Sequence, residues 1–195
     1  MKYSLSYEEY MSIPPGRIVV FDTETTGFSE KNDDLLQFSA IDGNGSTLLN
    51  TYLRPEKKQS WPGAMRVNQI TPQMVRYAPT LREMTETVRD LFDRAELIVA
   101  FNNEFDGRFV REKFGVEIFD TRNFDVMKEW AEAHQAKWPK LDAAALYYRY
   151  DWGSDRAHDS LSDTRATLWG FRKMMEESME DSLLNEQGTL WAFME

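Results

Sequence analysis

Asp22 and Glu24 stand two residues apart, where an apolar run ending at Asp22 gives way to the polar stretch Thr23–Gly27 and then Phe28. In an extended segment, period-two geometry puts both carboxylates on one face. Two carboxylates so placed repel unless a cation joins them or one keeps its proton. An oxygen-rich pair of this kind suits Mg²⁺ or Mn²⁺. In a chain with 33 acidic residues, a D-x-E spacing arises by chance about once. Alone, the pair equally describes two acids solvated at a strand end.

Two more segments carry chemistry. Asp106 follows an apolar run by a few residues, in Phe101-Asn102-Asn103-Glu104-Phe105-Asp106. By itself it is a first-turn helix acid, a position the helix dipole favours. His158 and Asp163 stand in His158-Asp159-Ser160-Leu161-Ser162-Asp163. Five residues along a helix turn side chains apart by about 140°. They converge only if His158 lies in a loop and Asp163 in the first turns of a helix capped by Asp159 or Ser160. The plain alternative is that Ser160-x-x-Asp163 is a capping box. The chain has two histidines, and His134, at an expected helix end, is given no role.

The elements that must position these residues follow from pattern. Arg17–Asp22 is a short, β-branched, buried strand. Leu35–Ile41 and Ser46–Leu53 are strands joined by Asp42-Gly43-Asn44-Gly45, a strong hairpin signal. The three should form an antiparallel meander. Trp61–Tyr77, interrupted by Pro62 and Pro72, is expected as short helical turns. Thr80 with Glu83 forms a capping box before a helix over Leu81–Arg94. Met84, Val88, Leu91 and Phe92 share its apolar face. Leu97–Phe101 is a fourth strand, followed by a helix over Glu104–Phe114. A short fifth strand is expected at Ile118–Thr121, and helices at Asn123–His134, Leu141–Tyr150 and Ser160–Met179. Gly188 is expected to break the tail before an apolar stretch, Leu190–Met194. The order implies an α/β fold, a mixed sheet with helices on its faces. We divide the chain into an extension (1–16), a single domain (17–181) and a C-terminal tail (182–195).

Composition narrows the classes. The chain has 195 residues, 42% hydrophobic and 29% charged, as in a soluble globular domain. It has no cysteine, which removes thiol catalysis and zinc–thiolate sites and fits a reducing, cytoplasmic setting. The opening residues are not a signal peptide, and no apolar stretch is long enough to span a bilayer. The net charge of −10 argues against broad, non-specific gripping of nucleic acid. It leaves room for a carboxylate site whose metal reverses the local sign. Weak, end-directed engagement of a nucleic-acid chain is the expectation.

Taken together, the three segments resemble, in order, the three motifs of the DEDDh family of 3′–5′ exonucleases, the DnaQ-like group. Phe21-Asp22-Thr23-Glu24-Thr25-Thr26-Gly27 resembles the first motif, Asn102…Phe105-Asp106 the second, and His158-x4-Asp163 the third. The resemblance runs from about Arg17 to Met175. Ile70-Thr71…Met74-Val75 and Ala78-Pro79-Thr80 also look like the family. Phe101-Asn102 stands where the family often has His-Asn, and Asn68-Gln69-Ile70-Thr71 where it often has His-Gly-Ile-Thr.

The resemblance implies a ribonuclease-H-like fold and two divalent ions, Mg²⁺ or Mn²⁺. Asp22 would bridge both. Glu24 and Asp163 would hold one, and Asp106 the other. His158 would be the general base, a role that suits histidine because it titrates near neutral pH. Thr23, Thr25, Thr26 and Asn102 would lie by the terminal nucleotide. Phe28 would wedge against its base or else be a core residue, and Arg156 would meet a phosphate or nothing. The substrate would be a single-stranded or frayed 3′ end of DNA or RNA, and the product a nucleoside 5′-monophosphate. Proofreading beside a polymerase and RNA trimming are both open. So is docking of the tail on a polymerase, on a second copy or on its own core. Loss of one of the five motif residues would point to an inactive binding or scaffold protein; all five are present.

Overall fold

A computed structural model describes residues 2–154 and 157–192, with side chains through Leu184. Arg156 lies outside the described residues. So do the side chains of the apolar tail Leu190–Met194, and with them its docking.

Five strands form one sheet: β1 (Ile18–Thr25), β2 (Leu35–Asp42), β3 (Thr47–Tyr52), β4 (Leu97–Ala100) and β5 (Asn123–Asp125). Their spatial order is β3-β2-β1-β4-β5. The first three make the expected antiparallel meander, while β4 pairs parallel with β1 and β5 parallel with β4. The turn from β2 to β3 is tied by Asp42, whose Oδ1 accepts from the N–H groups of Asn44 and Ser46 at 2.8 Å each. Gly45 takes φ +91°, open to glycine without strain.

Eight helices cover the sheet among the described residues: α1 (Tyr7–Ser12), α2 (Pro62–Asn68), α3 (Pro72–Val75), α4 (Leu81–Asp93), α5 (Asn103–Phe114), α6 (Val126–Ala133), α7 (Leu141–Tyr147) and α8 (Ser160–Ala192). Pro62 and Pro72 start α2 and α3, where a missing N–H costs nothing. Thr80 and Glu83 cap α4 as expected.

The alternation of β1 decides which helix each residue meets. Ile18 and Val20 face Leu168, Phe171, Met174 and Met175 of α8. Val19 and Phe21 face Val88 and Phe92 of α4 and Phe109, Val110 and Phe114 of α5. The centre of the sheet is thus buried between α8 on one side and α4 with α5 on the other.

Four elements differ from the sequence reading. β1 runs on through Thr25 instead of stopping at Asp22, because Asp22, Thr23 and Glu24 pair with Ser39, Phe38 and Gln37 of β2. Ile118–Asp120 is a 3₁₀ turn rather than a strand, and the fifth strand is Asn123–Asp125, where a helix was expected to begin. Pairing with β4, not propensity, makes Asn-Phe-Asp a strand. Helix α8 continues past Met179, and Gly188 lies inside it; one glycine costs a helix only about 1 kcal/mol. Residues set apart as an extension pack on the core: Tyr3, Leu5 and Ile13 are buried in the α8-side cluster. Among the described residues no helix is long and apolar enough to cross a membrane.

Candidate active site

At the end of β1 the strand's alternation continues from core into site. Asp22 and Glu24 follow Ile18 and Val20 on the α8 side. Thr23 follows Phe21 on the α5 side. Each side then delivers one more acid.

On the α8 side that acid is Asp163. Asp159 caps the helix, its Oδ1 accepting from the N–H of Ser162 at 3.2 Å. Ser160 is therefore not the cap. Its hydroxyl is buried and bonds Ser39 of β2 at 2.6 Å. Gln37 of β2 donates to Asp159 Oδ2 at 3.3 Å and accepts from the N–H of Ser160 at 3.4 Å. Gln37 and Ser39 are the register partners of Glu24 and Asp22. The residues beside the two strand acids thus clamp the start of α8, and Asp163 follows from that placement.

His158 sits just before the cap with φ +65°, a left-handed conformation strained for a side chain of this size. Its N–H donates to the Asp163 carboxylate at 3.1 and 3.3 Å. Its ring is exposed. One ligand atom each from Glu24, His158 and Asp163 lies within 4.8 Å of the others. The loop-then-helix arrangement is what the five-residue spacing required.

On the α5 side, Asp106 is buried and its Oδ1 accepts from both the N–H of Thr23, at 3.0 Å, and the Thr23 hydroxyl. The turn before α5 is held by Asp125 at the end of β5. Its two oxygens accept from the N–H groups of Asn102 at 3.1 Å and Asn103 at 3.0 Å. Asp125 also caps α6. Asn102 takes φ +64° there; its backbone, rather than its side chain, fixes the turn.

The electrostatics are those of a site built for cations. Burial, then the carboxylates of Asp106, Asp163 and Glu24, hold Asp22 well above the carboxylate range. Burial and the Asp163 charge push Glu24 up to about 8, against a hydrogen bond from Asn68. Burial lifts Asp106 to about 7 although the Thr23 bonds oppose it. Burial lifts Asp163 to about 7, against the His158 N–H and with the Asp159 charge adding to the rise. Among the described residues no lysine or arginine pairs with any of the four. A divalent cation would supply the missing positive charge, and the donor set, carboxylate oxygens with one imidazole, fits Mg²⁺ or Mn²⁺.

Beside the acids lies a cleft of about 440 Å³ lined by Thr23–Phe28, Gly63, Ala64, Val67, Asn68 and Phe105. Phe28 is 86% exposed and meets Phe105 edge to face at 6.3 Å, so it belongs to the cleft wall and not the core. The three threonines line the cleft, but their hydroxyls donate inward, to Asp106, to the Gly27 carbonyl and to Asp33. Gly27 lets the Asp33 carboxylate lie against the backbone here: a Cβ would stand 2.5 Å from Asp33 Oδ2 and displace it.

The sequence reading missed Gln37, Ser39, Asn68 and Asp125. Gln37 and Ser39 left a trace, as polar residues inside the apolar run Leu35–Ile41. Asp125 left none, because it was read as helix interior.

The exonuclease family RNase_T matches residues 19–169, which contain all of these acids and His158. The chain is 29% identical over 166 residues to the uncharacterized exonuclease CP81 of Escherichia phage 186, spanning 77% of this chain and 84% of that protein. It is 28% identical over 172 residues to the PolC-type DNA polymerase III of Caldanaerobacter subterraneus subsp. tengcongensis, covering 85% of this chain but 12% of the polymerase. Among solved structures it resembles E. coli exonuclease I in complex with a dT13 oligonucleotide (TM-score 0.68, 20% identity, 86% of this chain and 43% of that one). It also resembles exonuclease X in complex with 5′ overhanging duplex DNA (TM-score 0.64, 21% identity, 83% and 92%). At these identities the solved structures speak for the fold, a ribonuclease-H-like sheet. With the family matched over most of its length and the motif acids gathered at the end of that sheet, the chain belongs to the DnaQ-like exonuclease family.

Proposed function

We propose that the protein is a metal-dependent 3′–5′ exonuclease that releases nucleoside 5′-monophosphates, with His158 as general base. The observation that carries this reading is the meeting of Glu24, His158 and Asp163, from segments more than a hundred residues apart, within 4.8 Å of one another. Asp22 and Asp106 complete a carboxylate cluster that no lysine or arginine among the described residues neutralises.

Asp22, Glu24 and Asp163 would hold one divalent ion, and Asp22 with Asp106 a second. Bound there, the ions supply charge neutralisation and Lewis-acid activation of water and of the scissile phosphate. The remaining work belongs to the chain. A ring nitrogen of His158 takes the proton of the attacking water, from a position beside the Glu24 and Asp163 carboxylates. The Asp163 carboxylate, bonded to the His158 N–H, holds that loop in its strained conformation. Phe28 and Phe105 seat the terminal base, since aromatic stacking tolerates any base. The backbone of Thr23–Gly27 forms the floor against which the terminal nucleotide lies.

DNA is the polymer we favour, supported by the likeness to exonucleases I and X, whose structures hold DNA. A single-stranded or frayed 3′ end suits a cleft of this size and a chain this acidic. The partial match to a PolC-type polymerase also supports a proofreading setting beside a polymerase.

The test uses a DNA strand labelled at its 5′ end, with Mg²⁺ or Mn²⁺ and an EDTA control. A ladder that shortens from the 3′ end, stops with EDTA and falls by roughly 10²–10⁴-fold in His158→Ala is expected. Release of labelled mononucleotide at the outset, or full activity in His158→Ala, overturns the proposal.

A further inference from the structure

A chain of net charge −10 has few places that attract a phosphate backbone, so unpaired cations near the site stand out. The loop between α6 and α7 contains Lys137-Trp138-Pro139-Lys140. Lys137 and Lys140 are exposed and form no ion pair among the described residues. Trp138 is 66% exposed, an unusual state for so large an apolar side chain.

The loop is held, not loose. Its base is a ring stack: His134 lies on Trp130 at 4.4 Å and meets the edge of Tyr147 at 5.0 Å. His134 also bonds the Trp130 carbonyl at 2.7 Å and the Tyr147 hydroxyl at 3.1 Å. Lys128 lies over the Trp138 ring at 5.8 Å and pairs with Glu104 at 3.1 Å. Glu104 is in the first turn of α5, one position from Phe105 and two from Asp106. Through Lys128, Trp138 is therefore docked beside the rim of the site. Lys140 immediately precedes α7, whose Asp142 is near enough to act on Asp163.

We propose that Lys137, Trp138 and Lys140 form a binding platform for the single strand upstream of the reacting 3′ nucleotide, with Trp138 stacking on a base and the lysines meeting phosphates. An aromatic face flanked by cations is the pattern that holds a single strand without reading its sequence. The platform rests on the exonuclease reading for its orientation, and it adds a contact outside the terminal-nucleotide cleft. It would make binding depend on strand length, which the cleft alone does not.

Binding and chemistry separate in one experiment. Affinity for a fluorescein-labelled oligothymidylate about 12 nucleotides long is measured by anisotropy in EDTA, so nothing is cleaved. Turnover of the nitrophenyl ester of thymidine 5′-monophosphate is measured with Mn²⁺. Trp138→Ala is expected to weaken the oligonucleotide about tenfold and leave ester turnover unchanged, while Trp138→Phe restores binding. Lys137→Gln with Lys140→Gln is expected to lower the slope of log affinity against log salt by about 1.4. Unchanged affinity in Trp138→Ala with an unchanged slope in the double variant overturns the platform, as does a wild-type protein that does not bind the strand. A wild-type protein that binds through Trp138 but cleaves neither substrate leaves the platform standing and removes the exonuclease reading.

Discussion

Two groups of acids in this chain meet opposite fates. Asp33 and Asp34 follow the loop after β1. Asp34 is 1% exposed, yet its Oδ2 accepts from the N–H groups of Lys57 at 3.0 Å and Lys58 at 2.8 Å. Asp33 accepts from the N–H of Ser29 at 3.0 Å and faces the Lys58 ammonium at 3.5 Å. The fold itself compensates these charges. Asp22, Glu24, Asp106 and Asp163 are also buried or half-buried, but burial outweighs the donors that reach them, and at Asp22 and Glu24 the neighbouring acids add to it. A buried carboxylate is ordinary when donors and cations compensate it, and a candidate for function when the donors that reach it fall short. The number of acids does not separate the two groups; the compensation does.

The sharpest break in this comparison is Asp22→Asn. It should reduce metal-dependent nucleotide release on the order of 10³-fold. At pH 8 in EDTA it should raise the melting temperature above wild type, because it removes a charge that the apo fold opposes. A lower melting temperature would put Asp22 with the structural acids.

The pH dependence of apo stability is the next largest effect. A carboxyl whose pKa rises on folding keeps its proton to higher pH folded than unfolded, so deprotonation opposes folding. The reference values are 3.8 for Asp106 and Asp163 and 4.5 for Glu24, against about 7, about 7 and about 8 in the fold. Their contribution is neutral below the reference values and increasingly destabilising as pH climbs toward 8. Calorimetry in EDTA should show melting temperature falling across that window. Added Mn²⁺ should restore it most at the alkaline end, where the ligands are free of protons.

Asp34→Ala probes the compensated group. It strands two part-buried N–H groups and should cost about 2–3 kcal/mol, or roughly 4–12 °C in melting temperature, at every pH and with or without metal. The smallest effect is expected from Ser39→Ala, which frees the start of α8 from β2. A loss of about 1 kcal/mol in denaturant unfolding should accompany a severalfold drop in kcat. Loss of stability with unchanged kcat would remove Ser39 from the positioning of Asp163.

Much of this site was legible before the fold. Asp22 and Glu24 were readable because a strand period of two forces them onto one face. His158 and Asp163 were readable because a spacing of five works only across a loop–helix junction. What hid the rest was pairing between distant segments. Gln37 and Ser39 matter because the β1–β2 register sets them beside Glu24 and Asp22. Asp125 matters because a three-residue strand, made only by its parallel neighbour, brings it under the turn of Asn102 and Asn103. Gly188, read locally as a break, is carried through within α8.

By itself, then, the sequence determined the donor types, their order and the local geometry of each motif, since periodicity and capping act over a few residues. The tertiary structure alone decided that Asp106 approaches through Thr23 from one side of the sheet and Asp163 from the other. It also decided that Phe28 stands in solvent, and that burial raises the proton affinity of all four carboxylates, with their neighbours adding to it at Asp22 and Glu24, while Asp33 and Asp34 are satisfied. Those outcomes depend on which groups are excluded from water together, and burial is a property of the packed sheet and helices, not of any segment.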